Sequence, residues 1–276
     1  MAILFWFIFL LISNTTLYGV KRKIPVKRPV ISHLKLSKQD AQKIGQKILH
    51  NECGGDLEKL TWWNLGEEFA SMGAIHAIWY PKGVNQKFKE TFPSLLLFLE
   101  SRGKKLPEGI IDISKSCPWQ SRIEFMASLQ SKKMQKLRAF LVDTIDLQIA
   151  FALQRLEKSL PQLLRFVVKE SQKNHIKQQF YRIARSKNGL YVLIDYLNFK
   201  GEGSDPLCSY HGHRWGLLQV LEGMNGIKVG SEALEDFVRS AKNVLSTRVK
   251  CAPPERDEAR WLQGWYNRLD TYKEDF

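Results

Sequence analysis

Apolar residues in the second half of this chain recur every three or four positions, the spacing that places them on one face of an α-helix. Pro161 is expected to begin a further helix that extends through Val168. Strand-like sequence is scarce, and its best example runs from Ala74 to Tyr80. The pattern predicts a mainly α fold with a small β-hairpin near residues 70–80. The longest helical series comprises Ile123, Met126, Leu129, Leu137, Leu141, Ile145, Ile149, Leu153 and Leu156.

The N-terminal residues differ in composition from the rest of the chain. Residues 1–19 contain an apolar run from Ala2 to Ile12, which is too short to span a bilayer and has the length of a signal-peptide core. A membrane anchor that stays attached is the alternative. Residues 20–36 are basic and contain two prolines, so we interpret them as a linker. We therefore expect a periplasmic or secreted protein with one folded domain over residues 37–276, which has room for an inserted helical lobe at about 85–185.

Charge narrows the class of partner. The 276 residues carry a formal net charge of +14, which favours polyanionic partners such as nucleic acid and cell-wall polymers. For an exported protein nucleic acid is the less accessible of the two. We therefore expect peptidoglycan or another anionic envelope glycan as the partner, and no nucleic acid, with a generally solvated basic surface as the alternative. The hydrophobic content of 44% is enough for a proper core and argues against disorder.

The cysteines allow two interpretations. Their even number in an oxidising compartment favours one or two disulfides, whereas a chain of this length also folds with buried free thiols. The four positions are Cys53, Cys117, Cys208 and Cys251.

A loop after residue 201 contains residue types that zinc uses, namely Cys208, His211 and His213, with Glu202 and Asp205 close by. The spacing lacks a further clear pair of ligands. We interpret this segment as a polar loop, and we expect neither a metal nor another cofactor.

Glu52 is the strongest candidate for a catalytic residue. Ser37 is a plausible N-cap for a helix whose apolar positions include Ile44 and Ile48, and Gly54 with Gly55 would end it. Glu52 would then lie in the last helical turn. Because the helix dipole places negative charge there, the pKa of this carboxyl is expected to be raised, as a general acid requires.

The segment after Glu52 contains candidates for a second polar group, namely Asn64, Glu67, Glu68, Ser71 and His76. Catalysis of glycoside cleavage by one acid usually needs such a partner across the scissile bond. The same segment is rich in aromatic residues, which are either core residues or faces on which sugar rings stack. They are Trp62, Trp63, Phe69, Trp79 and Tyr80.

The order of these motifs resembles that of phage-type lysozymes, which have a glutamate at a helix end, a small β region with Thr-x-Gly-x-Gly-His, and a helical lobe. Here Ser71, Gly73 and His76 occupy positions of that motif, and Ile75 replaces its second glycine. The resemblance implies a lysozyme-like α+β fold with an enlarged helical lobe. It also implies that Glu52 is the general acid. No aspartate occurs between Leu57 and Ser71, so Glu67 is the first choice for the second acid, and Asn64 and Glu68 are its competitors.

Further segments extend the resemblance into the helical half. LIDYLNFKGEG at 193–203 is similar to the lysozyme helix that ends in Asn-x-Gly, which suggests Asn198, and GWYNRLDTY at 264–272 lies where a paired-arginine helix is found, which suggests Arg268. WGLLQVLEG at 215–223 resembles a lytic transglycosylase motif, with Gln219 as its informative residue, although a buried amphipathic helix explains the same pattern. Transglycosylases use one glutamate and no nucleophile.

The chain also resembles a group of exported bacterial proteins through ECGG, LTWWNLGEEF, HAIWYP and WGLLQVLE. That resemblance brings no established activity with it. The sequence predicts an exported glycan-cleaving enzyme acting on peptidoglycan, with Glu52, Glu67, Ser71 and His76 as catalytic candidates. A noncatalytic peptidoglycan-binding protein is the alternative. The substrate-binding candidates are Asn64, Trp63, Tyr80, Asn198, Gln219 and Arg268.

Overall fold

A computed structural model describes residues 34, 37–53, 56–86, 88–107, 116–205 and 208–274, with only the backbone of residues 51–53. The described part is mainly helical, as predicted, with short 3-10 segments at Leu57–Leu60, Pro254–Arg256 and Thr271–Lys273. Its helices are α1 (Lys38–Cys53), α2 (Phe92–Ser101), α3 (Arg122–Ala127), α4 (Lys132–Asp143), α5 (Ile145–Arg165), α6 (Glu170–Ala184), α7 (Gly189–Lys200), α8 (Leu217–Gly223), α9 (Ser231–Cys251) and α10 (Ala259–Asp270).

Helix α1 begins and ends where the sequence predicted. The Ser37 hydroxyl accepts a hydrogen bond from the Asp40 backbone N–H at 3.0 Å, which satisfies one of the unpaired donors of the first turn. Ile44 and Ile48 are buried against the core. Gly45 allows α5 to approach closely, since a Cβ there would lie 2.5 Å from a methyl of Ile145. The helix ends at Cys53, so the backbone of residue 52 lies in its last turn.

A three-stranded antiparallel sheet follows, with β1 (Thr61–Trp62), β2 (Ala70–Met72) and β3 (Ala77–Trp79) in sequential order. The hairpin predicted near residues 70–80 is therefore confirmed. Its register pairs Ser71 with Trp62 on one side and with Ile78 on the other.

The turn between β2 and β3 is fixed to the rest of the fold at several points. Gly73 has a φ of +75°, in the region that favours glycine, and its N–H donates to the Leu60 carbonyl at 2.7 Å. The Ala74 N–H donates to Oε1 of Gln148 on α5 at 2.8 Å. Gln148 is fully buried, and its amide also donates to the Leu141 carbonyl at 2.6 Å. Helix α5 therefore determines where this turn lies.

Helix α5 is central to one hydrophobic core. It packs against α1, α2, α6 and α7, and Phe151 meets Phe98 of α2 with ring centroids 5.5 Å apart. The described helices within residues 85–185 thus share their core with the rest of the domain, and residues 32–276 cluster as one compact unit. Pro161 does not begin a new helix, because α5 continues through it to Arg165. Burial of Leu156 and Leu163 on either side favours the continuous helix despite the lost backbone donor.

The signal peptide predicted at residues 1–19 and the linker at 20–36 lie outside the described residues, apart from Leu34. Among the described helices, none combines the length and the apolar character needed to cross a bilayer.

Candidate functional site

Glu67 lies in the loop between β1 and β2, where its carboxylate is half-buried. Asn64 Nδ2 donates to Glu67 Oε2 at 3.1 Å, and the indole N–H of Trp63 donates to the Glu67 carbonyl at 2.8 Å. Burial raises the pKa of Glu67 above its ordinary value, and the Asn64 hydrogen bond and the charge of His76 offset this only in part. Among the residues that the structure describes, no cation forms an ion pair with this carboxylate.

His76 lies in the β2–β3 turn, and Asn198 contacts the neighbouring residue of that turn. His76 has a φ of +46°, which is uncommon outside glycine, and its N–H donates to the Gly73 carbonyl at 3.0 Å. Asn198, near the end of α7, donates from Nδ2 to the carbonyl of Ile75 at 2.9 Å. The charge of His76 also acts on the carboxylate of Glu67. The site therefore includes three predicted residues, namely Glu67 from the β1–β2 loop, His76 from the β2–β3 turn and Asn198 from α7.

The backbone that carries Glu52 leads directly into this site. After α1 ends, Asp56 caps the next helical segment, its carboxylate accepting from the Glu58 N–H at 2.9 Å. That segment ends at Leu60, which receives the Gly73 hydrogen bond from the hairpin turn. The side chain of Glu52 lies outside the described residues.

Two other predicted residues of this segment, Ser71 and Glu68, do not share the half-buried loop environment of Glu67. Ser71 lies in the central strand of the sheet and is only 4% exposed. Glu68 is exposed to solvent beside Glu67. The half-buried setting thus distinguishes Glu67 from its neighbouring acid.

Trp63 and Tyr80 were predicted to bind substrate, but their rings lie in the core and are 2% and 1% exposed. Trp63 packs edge-on against Phe125 at a centroid distance of 5.7 Å. The Tyr80 hydroxyl accepts from the Phe88 N–H at 3.1 Å. Neither ring therefore presents a face on which a sugar can stack. Their burial holds the Glu67 loop in place instead.

Gln219 and Arg268 also have partners within the helical half. Gln219 bridges two close backbone segments, accepting from the Gly216 N–H at 3.1 Å and donating to the Gly203 carbonyl at 3.2 Å. Arg268 makes a two-point contact with the buried carboxylate of Asp195, at 2.9 and 2.8 Å. Both predicted binding residues thus stabilise local structure.

In the loop with zinc-type ligands, the described side chains are not gathered around one point. The Cys208 thiol points to Asp205 Oδ2 at 3.7 Å, while His211 and His213 are exposed. Throughout the described ranges, no three His, Cys, Asp or Glu side chains are grouped to hold a metal ion. The cysteines whose side chains are described, Cys117, Cys208 and Cys251, are free thiols. Burial raises the pKa of the Cys117 thiol to about 12, so it is inert at neutral pH.

Two residues that support the site were not anticipated from sequence. Arg122 on α3 donates from Nε to the Trp63 carbonyl at 2.9 Å, which holds the Glu67 loop from outside the sheet. Gln148 anchors the hairpin turn from α5. The sequence did contain a signal for Gln148, which is a polar residue between the apolar positions Ile145 and Ile149. An amide that is buried at such a position needs hydrogen-bond partners. Arg122 had no comparable signal.

Comparisons of this chain with protein-family models, with curated proteins and with solved structures find no match.

Proposed function

We propose that this protein is an exported enzyme that cleaves the glycan strands of peptidoglycan, with Glu52 as general acid and Glu67 as the second catalytic group. The observation that carries the proposal is the environment of Glu67. It is a half-buried carboxylate with a raised pKa and no ion pair among the described residues. Carboxylates with raised pKa values are often found at functional sites. Burying a carboxylate without an ion pair lowers stability, so proteins keep such a residue mainly where a reaction needs it.

The order of the two glutamates along the chain supports the same function. Glu52 belongs to the last turn of α1, and the chain passes from there into the sheet that carries Glu67. This arrangement agrees with the motif order of phage-type lysozymes. The export signal predicted at residues 1–19 and the net charge of +14 favour an anionic envelope polymer as substrate.

Each residue has a distinct role in this mechanism. Glu52 protonates the glycosidic oxygen as the bond to the leaving sugar breaks. Glu67, deprotonated, acts on the opposite side, either on an attacking water or on the sugar carbon. Asn64 stabilises the carboxylate form through its hydrogen bond, and the charge of His76 acts in the same direction. Arg122 and Gln148 act as positioning residues, since they fix the two loops.

The test is digestion of purified cell-wall sacculi by the mature protein, followed by separation of the released muropeptides. We expect Glu52→Gln to abolish release and Glu67→Gln to reduce it by about 10²- to 10⁴-fold, the usual contribution of acid–base catalysis. Glu58→Gln is the matched control, since Glu58 is an exposed acid close by in the chain, and it should retain wild-type activity.

The outcomes separate the alternatives. Full activity of Glu67→Gln with loss in Glu52→Gln would favour a transglycosylase-like route with one glutamate. Unchanged sacculi with the wild-type protein would overturn the enzymatic proposal, and binding without release would favour the noncatalytic alternative. The pH profile is a second readout. Because the pKa of Glu67 is raised, the acidic limb of the profile should lie above the ordinary carboxylate value and disappear in Glu67→Gln.

A further inference from the structure

Aromatic rings and cations alternate on one surface where three parts of the helical half meet. Phe199 and Lys200 come from the end of α7, Trp215 from the loop before α8, and Arg260, Trp261 and Trp265 from α10. We call these six residues the aromatic–cation surface. Trp261 and Trp265 are four residues apart and therefore lie on the same side of α10.

The contacts within this surface are close, and Arg248 links Trp215 to the other rings, since its guanidinium carbon lies 4.2 Å from the Trp215 ring centroid and 5.0 Å from that of Trp265. Lys200 Nζ lies 3.5 Å from the ring centroid of Trp265 and 4.0 Å from that of Phe199. The Trp261 and Trp265 centroids are 6.3 Å apart. The guanidinium carbon of Arg260 lies 4.5 Å from the Trp261 ring. Each cation thus lies against an aromatic ring, as cation–π attraction favours.

Burial gives this surface a positive charge. The acids beneath it, Asp195 and Glu258, have fully buried side chains, and their charges are matched by Arg268 and Arg248. Arg260 is exposed and Lys200 is half-exposed. Among the acids close in the chain, Glu255 and Asp257 are exposed in or directly after the short turn before α10, and Glu202, two residues after Lys200, is half-buried. None of these acids makes one of the ring contacts, so the groups that lie against the rings are cations.

Exposure distinguishes these rings from those of the sheet. Trp261 is 41% exposed, and Trp215 and Trp265 are half-buried, whereas Trp63 and Trp79 are in the core. A half-exposed indole offers an apolar face to a ligand while its other side stays packed.

The surface begins beside the candidate site. Asn198, which donates to the Ile75 carbonyl in the hairpin turn, directly precedes Phe199 and Lys200 in the last turn of α7. The last turn of α7 therefore carries both a contact to the candidate site and two residues of the aromatic–cation surface.

We infer that the aromatic–cation surface binds an anionic glycan strand and forms an extended part of the substrate site. The rings contact the apolar faces of successive sugars, and Lys200 and Arg260 bind the carboxylates of the polymer. The identity of the polymer rests on the proposed function, whereas the binding chemistry rests on these contacts.

The experiment measures the affinity of the full mature chain for sacculi by sedimentation, in wild type and in Trp261→Ala, Lys200→Gln and Arg260→Gln. We expect Trp261→Ala to bind about tenfold more weakly, which corresponds to about 1.4 kcal/mol. Each cation variant should bind about threefold more weakly, as exposed charge contacts suggest. Trp261→Phe, which keeps a ring, should recover part of the loss and shows that folding is intact.

Matched controls and a second polymer sharpen the result. Phe166→Ala removes an aromatic side chain that is 52% exposed elsewhere, and Lys104→Gln removes an exposed charge, so both should bind as wild type. Chitin, a neutral polymer of the same sugar class, should respond to Trp261→Ala but not to Lys200→Gln. Wild-type affinity in Trp261→Ala and Arg260→Gln would overturn the inference and assign the surface to packing alone. Preferential binding of single-stranded DNA over sacculi would also overturn it.

The two proposals fail in different ways. If Glu52→Gln abolishes cleavage and the surface variants bind as wild type, the enzymatic proposal stands and the extended site does not exist. If the surface variants lose affinity and no form of the protein cleaves sacculi, the binding surface stands and the enzymatic proposal is wrong.

Discussion

The carboxylates of the helical half and the carboxylate of Glu67 differ in what surrounds them. Asp195, Asp236 and Glu258 are buried, and each forms an ion pair with an arginine, as with Arg182 Nη1 and Asp236 Oδ2 at 2.6 Å. Glu67 is half-buried and has the amide of Asn64 as its hydrogen-bond donor. The first group holds helices together, whereas Glu67 is partly desolvated and, among the described residues, has the charge of His76 acting on it but no ion pair.

The pKa values of Asp236 and Glu67 are shifted in opposite directions for this reason. Burial raises the pKa of Asp236, but hydrogen bonds from Arg182 and the Gly226 backbone and the charges of Arg182 and Arg239 outweigh it, so the value is lowered. Burial also raises the pKa of Glu67, and there it dominates. A buried acid in this protein is therefore a catalytic candidate only if it has no arginine partner.

The largest effect is expected from Asp236→Asn. This change leaves Arg182, whose side chain is 4% exposed, without its matching charge, and it should lower the free energy of unfolding by about 3–5 kcal/mol at neutral pH. Because the pKa of Asp236 is lowered in the folded state, its contribution exists above the unfolded pKa and is lost as the pH falls through the folded value. The difference from wild type should therefore shrink in acid, as urea denaturation at several pH values would measure.

Asp270→Asn is the matched control for this prediction. Asp270 pairs with Lys242 at 2.7 Å and with Lys273 at 2.8 Å, but its side chain is 42% exposed. Its loss should cost less than about 1 kcal/mol. Equal losses in the two variants would contradict the distinction between buried and exposed pairs in the helical half.

A smaller effect is expected from Gly73→Ala in the hairpin turn. The residue has a φ of +75°, and a Cβ there would lie 2.4 Å from Gln148 Oε1, which is held by its own hydrogen bonds. The strain of about 1–2 kcal/mol and the overpacking of about 1–3 kcal/mol should together lower stability by about 2–5 kcal/mol. Thermal unfolding measures this loss, and activity on sacculi should fall as the turn with His76 is displaced.

Gly83→Ala separates the two contributions. Gly83 has a φ of +83°, but a Cβ there would meet nothing within 4 Å, so only the backbone strain of about 1–2 kcal/mol applies. If Gly73→Ala costs no more than Gly83→Ala, the contact with Gln148 does not position the turn.

Local patterns predicted the hairpin and helices such as α1, because periodicity and capping depend on neighbours in sequence, but they wrongly placed a helix start at Pro161, which lies inside α5. The Ser37 cap and the buried positions of α1 are examples. Strand β1, only two residues long, was too short to show a period. The roles of Trp63 and Arg268 could not be read locally. Burial of Trp63 depends on α3, and the partner of Arg268 is 73 residues away. The same limit applied to Glu67, whose raised pKa arises from tertiary burial.

The smallest effect, and the one that bears most directly on function, is expected from Glu67→Gln. A carboxylate whose folded pKa is raised binds its proton more tightly in the folded state, so wild type loses stability as the pH rises from the ordinary value of 4.5 through the folded value. The variant avoids this loss. At neutral pH it should be more stable than wild type, within the range of about 0.5–2 kcal/mol common for stabilising changes, and the gain should vanish in acid. Glu58→Gln, which removes an exposed acid, should show no such gain.

Urea denaturation at pH 4 and pH 7 compares each of the two variants with wild type at each pH. A destabilised Glu67→Gln at neutral pH would place Glu67 with the paired carboxylates of the helical half, and would remove the argument for its catalytic role. A stabilised variant that has also lost activity would show that this loop retains an unpaired acid at the expense of stability.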